Sequence, residues 1–180
     1  YRDSEKNFKL VSGAELIFYG LNNIKDTERC YIVEGEIDAL TLFEAGLYSV
    51  VSVPNGAVKG NQRLDYLDNC YTYFKNKKDI ILCTDNDEAG LQLRNELARR
   101  LGTYRCKYVD FEEFKDANEV LVKKGAEYLR NIIKKAKSFP IQGIININNL
   151  WNNVLNYNEN GIKNYSIGLP GSNEYLNIAM

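Results

Sequence analysis

Tyr31-Ile32-Val33-Glu34-Gly35-Glu36-Ile37-Asp38 and Ile80-Ile81-Leu82-Cys83-Thr84-Asp85-Asn86-Asp87 are built alike: a short apolar run that stops on carboxylates. Each run is too short for a helix and rich in residues that favour strands, so each reads as a strand buried on both faces. In an open α/β sheet, ligands bind outside the carboxyl ends of the strands, so Glu34, Asp85 and Asp87 are expected to share one crevice. The chain has no histidine. A set of oxygen ligands alone suits magnesium, which keeps several waters, and manganese should substitute.

Working outward, strand-like runs at Cys30–Val33, Ser49–Val53, Asp79–Thr84 and Tyr104–Val109 alternate with helical runs at Ile37–Ala45, Gln62–Phe74 and Ala89–Leu101. That alternation predicts an α/β fold, a Rossmann-like parallel sheet with helices on both faces and right-handed crossovers. Phe8–Val11 and Leu16–Tyr19 flank a glycine turn and read as an N-terminal hairpin. A helix opening at Lys115–Glu119 and an amphipathic one over Ala126–Ala136 follow, the latter ending in Lys134, Lys135 and Lys137 as suits a helix C-terminus. From Ser138 to Asn158 there is no charged residue, and Phe139-Pro140 interrupts the pattern. The expected organisation is therefore 1–27, 28–138 and 139–180. In the last part Ile147, Leu150, Trp151, Val154 and Leu155 share one helical face, either packed on their own domain or forming a linker helix that docks on a neighbour.

The 180 residues are 44% hydrophobic, enough for a core, and the net charge of -1 excludes a uniformly basic nucleic-acid coat. Any polyanion must be met by a local patch or through metal. Cys30, Cys70, Cys83 and Cys106 form no C-x-x-C pair, so no zinc module is expected, and four unpaired thiols suit a reducing, cytoplasmic setting. No apolar run reaches the ~20 residues of a membrane span. The absence of an initiator Met predicts a fragment of a longer protein.

Each carboxylate also has a plainer explanation. An Asp-x-Asp pair is often a solvated turn. A calcium loop starting at Asp85 would place Gly90 and Glu96 correctly but has Ala89 where an oxygen ligand is needed. An aspartyl-phosphate hydrolase would want its pair after an early strand, and the surroundings fit it poorly. Glu34-Gly35 also reads as a strand-end turn with Glu36 and Asp38 in the first turn of the next helix, which accounts for Glu36 and Asp38 better than for Glu34, and Asp116 with Glu119 approaches a capping box. Pro54-Asn55-Gly56-Ala57 makes a turn able to approach a phosphate, with Lys59, Arg63 and Arg94 as further phosphate contacts, although such residues also serve as solvated surface charge.

Four segments taken together resemble the successive motifs of a Toprim (topoisomerase-primase) domain: Tyr31–Leu40, Val51–Ala57, Thr84–Gly90 and Lys115–Asn118. The version is most similar to that of phage-type bifunctional primase-helicases, relatives of Twinkle, and the likeness covers roughly Arg29 to Val122. The resemblance implies a DNA primase, a nucleotidyltransferase making RNA primers on single-stranded DNA during replication. It implies Glu34, Asp85 and Asp87 as catalytic metal ligands, Asp38 and Asp116 as supporting acids, and Gly35, Gly56 and Gly90 as shapers of the rim. The implied partners are single-stranded template, nucleoside triphosphates, a helicase domain of the same chain and further copies of it, with no membrane. Residues 1–27 then become the tail of an upstream primase subdomain, and 139–180 a linker toward a RecA-like helicase domain. A bacterial or phage origin and a weak or inactive isolated fragment are the matching expectations. Two other readings stay open: strand cleavage, as in Toprim nucleases and topoisomerases, and a non-catalytic DNA-binding or scaffold module of a replicative helicase.

Overall fold

The computed structural model describes residues 12–54, 56–57 and 64–140, together with 151 and 155. One sheet runs through it in the order β2-β1-β3-β4-β5. Its strands are β1 (Arg29–Val33), β2 (Val50–Ser52), β3 (Asp79–Cys83), β4 (Cys106–Tyr108) and β5 (Lys137–Ser138). The first four are parallel, and β5 joins β4 antiparallel. Val33 stands opposite both Ser52 and Cys83, so three adjacent strands end level with one another. The residues that follow, Glu34, Val53 and Thr84, therefore leave the sheet at one height.

Both faces are buried, which is why the strands are apolar without alternation. On one face Cys30, Ile32, Ile80, Leu82 and Cys106 pack against α2 (Asp65–Asn69), α3 (Tyr71–Phe74) and α4 (Glu88–Leu101). On the other, Tyr31, Val33, Ile81 and Cys83 pack against α1 (Glu36–Glu44), α5 (Ala117–Lys124) and α6 (Ala126–Lys134). The chain goes from β1 to β2 on one side, then returns past β1 to β3 and β4 on the other. Crossovers in opposite directions put α1 and α4 on opposite faces, which makes the carboxyl ends of β1 and β3 the switch point of the sheet, where such folds bind ligands. Among the described residues no helix is long and apolar enough to cross a membrane.

Several expected elements are altered. The expected helix to Phe74 breaks at Cys70, whose φ of -107° and ψ of 7° end α2 and start α3, letting Leu67, Cys70 and Phe74 all reach the core. The strand expected from Tyr104 starts at Cys106, because Thr103–Arg105 form a 3-10 turn. The Arg105 guanidinium holds that turn by donating to the carbonyls of Phe74, Lys75, Lys77 and Leu101. Lys137 belongs to β5 and not to a helix end; its ammonium pairs with Asp110 at 2.7 Å, while Phe139 packs on the Tyr108 ring. The first arm of the expected hairpin lies outside the described residues, and Leu16–Tyr19 meets the sheet through one antiparallel bridge, Tyr19 to Ser52. Phe18, Leu21 and Ile24 nonetheless lie in the core beside β1 and β2. The chain divides into compact units at 1–139 and 140–180. In the second, Trp151 and Leu155 are helical, and the rest of the expected apolar face lies outside the described residues.

Candidate active site

The crevice is assembled from three chain segments. Glu34 directly follows β1 and is pinned through Oε1, which accepts the Ala57 N–H at 3.0 Å. The Asp85 backbone lies near enough to favour the charged form of the Glu34 carboxyl, against the burial that raises its pKa. Asp85 directly follows β3 and is only 8% exposed. Asp87 is the N-cap of α4, its Oδ1 accepting the Gly90 N–H at 2.9 Å. From the third segment comes Lys115, whose Nζ lies 2.7 Å from Asp85 Oδ2 and 3.9 Å from Asp87 Oδ2. Asn86 clamps that segment: its N–H donates to Lys115 O at 2.8 Å and its Nδ2 to Phe114 O at 3.0 Å.

The supporting acids divide by role. Asp116 caps α5, its Oδ1 accepting the Glu119 N–H at 2.8 Å, while Glu119 Oε2 accepts the Lys115 N–H at 2.7 Å. This is the expected capping box with its return bond moved one residue earlier. Asp38 lies in the first turn of α1 with its Oδ1 buried, and the Asn118 backbone nearby favours its charged form.

Burial and like charge set the electrostatics. Burial, and then the neighbouring Asp85, push the Glu34 carboxyl above its ordinary value. Burial does the same for Asp85, with the Lys115 ammonium pulling the other way. Asp38 is pushed up to about 7 by burial, followed by Asp116 and Asp85. Lys115 is raised in turn by its bond to Asp85.

A carboxyl whose pKa rises from 3.8 to about 7 on folding favours the fold while protonated. That contribution is complete below about pH 4 and lost as pH rises through 7. In chelator, the chain should lose thermal stability between about pH 4 and 7, and Asp38→Asn should flatten the decline. Melting curves for both proteins across that range test this; parallel curves would remove Asp38 from the effect.

Two buried carboxylate oxygens, Glu34 Oε2 and Asp38 Oδ1, have no hydrogen-bond partner. Unpartnered acid oxygens beside two further carboxylates are a donor set that fits a hard divalent cation. Among the described residues no three acidic or cysteine side chains stand close enough together to hold a metal ion as they are placed. The calcium-loop reading is overturned: the stretch from Glu88 is helix α4, and Glu96 pairs with Arg99 and Arg100.

The rim residues separate. Gly56 has a φ of +65° and brings its Cα side close to Glu34, so the turn after β2 spends its Ala57 N–H on that carboxylate. Gly35 is the N-cap of α1 and sits against Asp38. Gly90 packs directly on the Asp85 backbone. Arg94 stacks its guanidinium 4.2 Å above the Tyr108 ring, and burial lowers its pKa. Asn55, Lys59 and Arg63 lie outside the described residues. Lys115 and Asn86 were not singled out from sequence as site residues, although both sit inside the quoted motifs.

A parallel α/β sheet with acids following the carboxyl ends of its central strands defines a class of domain. The chain belongs to the Toprim-like family, whose profile matches residues 31–121. It is 39% identical to the primase homolog protein of Arabidopsis thaliana, over 79% of this chain and 47% of that one. It is 37% identical to the chloroplastic/mitochondrial Twinkle homolog protein of the same plant, over 86% of this chain and 24% of that one. The chain thus spans about half and about a quarter of these two relatives. In three dimensions it is similar to a chain of the structure of bacteriophage T7 lagging-strand DNA polymerase interacting with primase domains of two gp4 subunits bound to an RNA/DNA hybrid and dTTP. That match has a TM-score of 0.66 and 29% identity, over 77% of this chain and 70% of the other.

Proposed function

We propose that this chain is the Toprim part of a DNA primase of the primase-helicase type, making RNA primers on single-stranded DNA. The observation that supports the reading is that Glu34 and Asp85 follow the level ends of β1 and β3, with Glu34 Oε2 and Asp38 Oδ1 buried and unpartnered beside them. Glu34, Asp85 and Asp87 would hold Mg²⁺ or Mn²⁺, with Asp38 and Asp116 as acids behind them. Bound there, the metal would draw in the triphosphate, favour loss of the 3′-hydroxyl proton and offset charge at the phosphorus.

The chain's own part is positioning. The Ala57 N–H orients Glu34, Asn86 sets the height of Lys115 against the Asp pair, and Gly90 lets the start of α4, which Asp87 caps, pack directly on the Asp85 backbone. Gly35 and Gly56 shape the walls, and Asn55, Lys59, Arg63 and Arg94 are read as phosphate-side contacts, Arg94 from its stack on Tyr108. We read 1–27 as the tail of a preceding primase subdomain docked through Phe18, Leu21 and Ile24, 28–138 as the catalytic domain, and 139–180 as a linker toward a helicase motor. Template, nucleoside triphosphates, that motor and further copies of the chain are the partners proposed. Four buried thiols, Cys30, Cys70, Cys83 and Cys106, suit work in a reducing compartment.

The test is incorporation of labelled ribonucleotides on single-stranded DNA with Mg²⁺, by the chain and by a longer protein containing it. Template-dependent primers from the longer protein, with little from the chain alone, are the expected result. Metal-dependent nicking of plasmid DNA without primers would replace the reading by strand cleavage. Unwinding without either would leave a scaffold.

A further inference from the structure

The acids of the crevice already face one cation, and it belongs to the chain. The Lys115 ammonium lies 2.7 Å from Asp85 and 3.9 Å from Asp87. Its backbone is held at both ends, by Asn86 on Lys115 O and by Glu119 on the Lys115 N–H. The side chain itself is 58% exposed, so the ammonium can turn toward water without unpacking any neighbour.

What the lysine does not reach is equally telling. Glu34 Oε2 and Asp38 Oδ1 remain buried without partners. A lysine offers one charge at one point, whereas a divalent cation offers two and takes six oxygens. Carboxylates this close repel one another unless some cation stands among them. With Lys115 in place the Asp pair is compensated but the two inner acids are not.

This inference rests on the reading of the crevice as a metal site. We propose that Lys115 is the resident counter-ion of the metal-free crevice, holding Asp85 and Asp87 in place until a divalent cation displaces its ammonium. Lys115 is then a positioning residue that competes with metal at rest, and the metal-free site stays folded around a borrowed charge.

Two measurements on the 180-residue chain test it. The first is Mn²⁺ calorimetry on the chain and on Lys115→Met, which keeps the stem and loses the charge. With no ammonium to displace, the variant should bind about fivefold more tightly, the worth of a half-exposed ion pair. Its melting temperature in chelator should be lower. The second needs no variant: the rate of Lys115 acetylation, followed by peptide mass spectrometry, should rise on adding Mg²⁺, while Lys107 and Lys123 keep their rates. An unchanged Lys115 rate in Mg²⁺, with Mn²⁺ still bound by the chain, would overturn the displacement and leave the metal site standing. Weaker Mn²⁺ binding by Lys115→Met would overturn it too, making the lysine a helper of the metal. No Mn²⁺ binding by the unaltered chain would instead remove the metal site itself.

Discussion

Asp85→Asn is expected to abolish primer synthesis by a longer protein carrying this chain, by about a thousandfold or more, while leaving the fold intact. The carboxylate is buried, follows β3 directly and lies beside Glu34 and Asp87, so in the proposed site it is the central ligand. Metal stabilisation of the transition state is worth several kcal/mol, and each 1.36 kcal/mol is tenfold in rate. Mn²⁺ binding should weaken by at least about 100-fold, more than loss of a residue behind the ligands costs. Stability should move little or upward. Burial outweighs the Lys115 contact and raises the Asp85 pKa, so the charge is a net burden on the metal-free fold, and the amide keeps the shape without it. Calorimetry, a melting curve and the primer assay together decide this. Retained Mn²⁺ affinity with unchanged melting would take Asp85 out of the site.

Gly90→Ala should lower stability and metal binding together, through backbone geometry alone. A Cβ on Gly90 would lie 2.3 Å from Asp85 O and 2.9 Å from its carbonyl carbon. Neither atom can rotate away as a side-chain tip could. Alanine in a helix is worth up to ~1 kcal/mol over glycine, which opposes the clash, but overpacking of well-packed backbone costs about 1–3 kcal/mol and a contact this short belongs at the upper end. The net loss should be about 2 kcal/mol, or roughly 4–8 °C in melting temperature for a chain of this size. The relief must come from the start of α4 shifting off the Asp85 backbone, which displaces Asp87, the residue that caps that helix, relative to Asp85 and Glu34. Mn²⁺ affinity should therefore fall in the same variant. An equal or higher melting temperature would show that the helix start yields without cost.

Much of this was legible in the order of residues. A strand that must be buried on both faces needs an unbroken apolar run, and a carboxylate ending such a run can only emerge at the sheet's rim; Glu34 and Asp85 follow from that rule. The capping role of Asp116 followed from Glu119 three residues on, because a helix start has unbonded N–H groups that only such side chains reach. The break at Cys70 was not legible, since a helical apolar pattern continues through it and only the core decides which residues must face inward. Nor was β5: two residues are too few to carry a strand pattern, and Lys137 has a helix-end charge that tertiary pairing with Asp110 reassigns.

The sequence by itself determined that the chain would form a parallel α/β sheet with acids at the carboxyl ends of β1 and β3, because burial periodicity and strand termination are local properties written residue by residue. Only the tertiary structure decided which charges meet. Lys115 lies thirty residues beyond Asp85, and nothing in their spacing pairs them; the Asn86 clamp and the return of the chain after β4 bring the ammonium to the crevice. Arg94 is drawn to Tyr108 by the same kind of long-range packing. Local pattern sets what each segment becomes, whereas the partners of a charged side chain depend on distances that exist only once the sheet has closed its neighbours together.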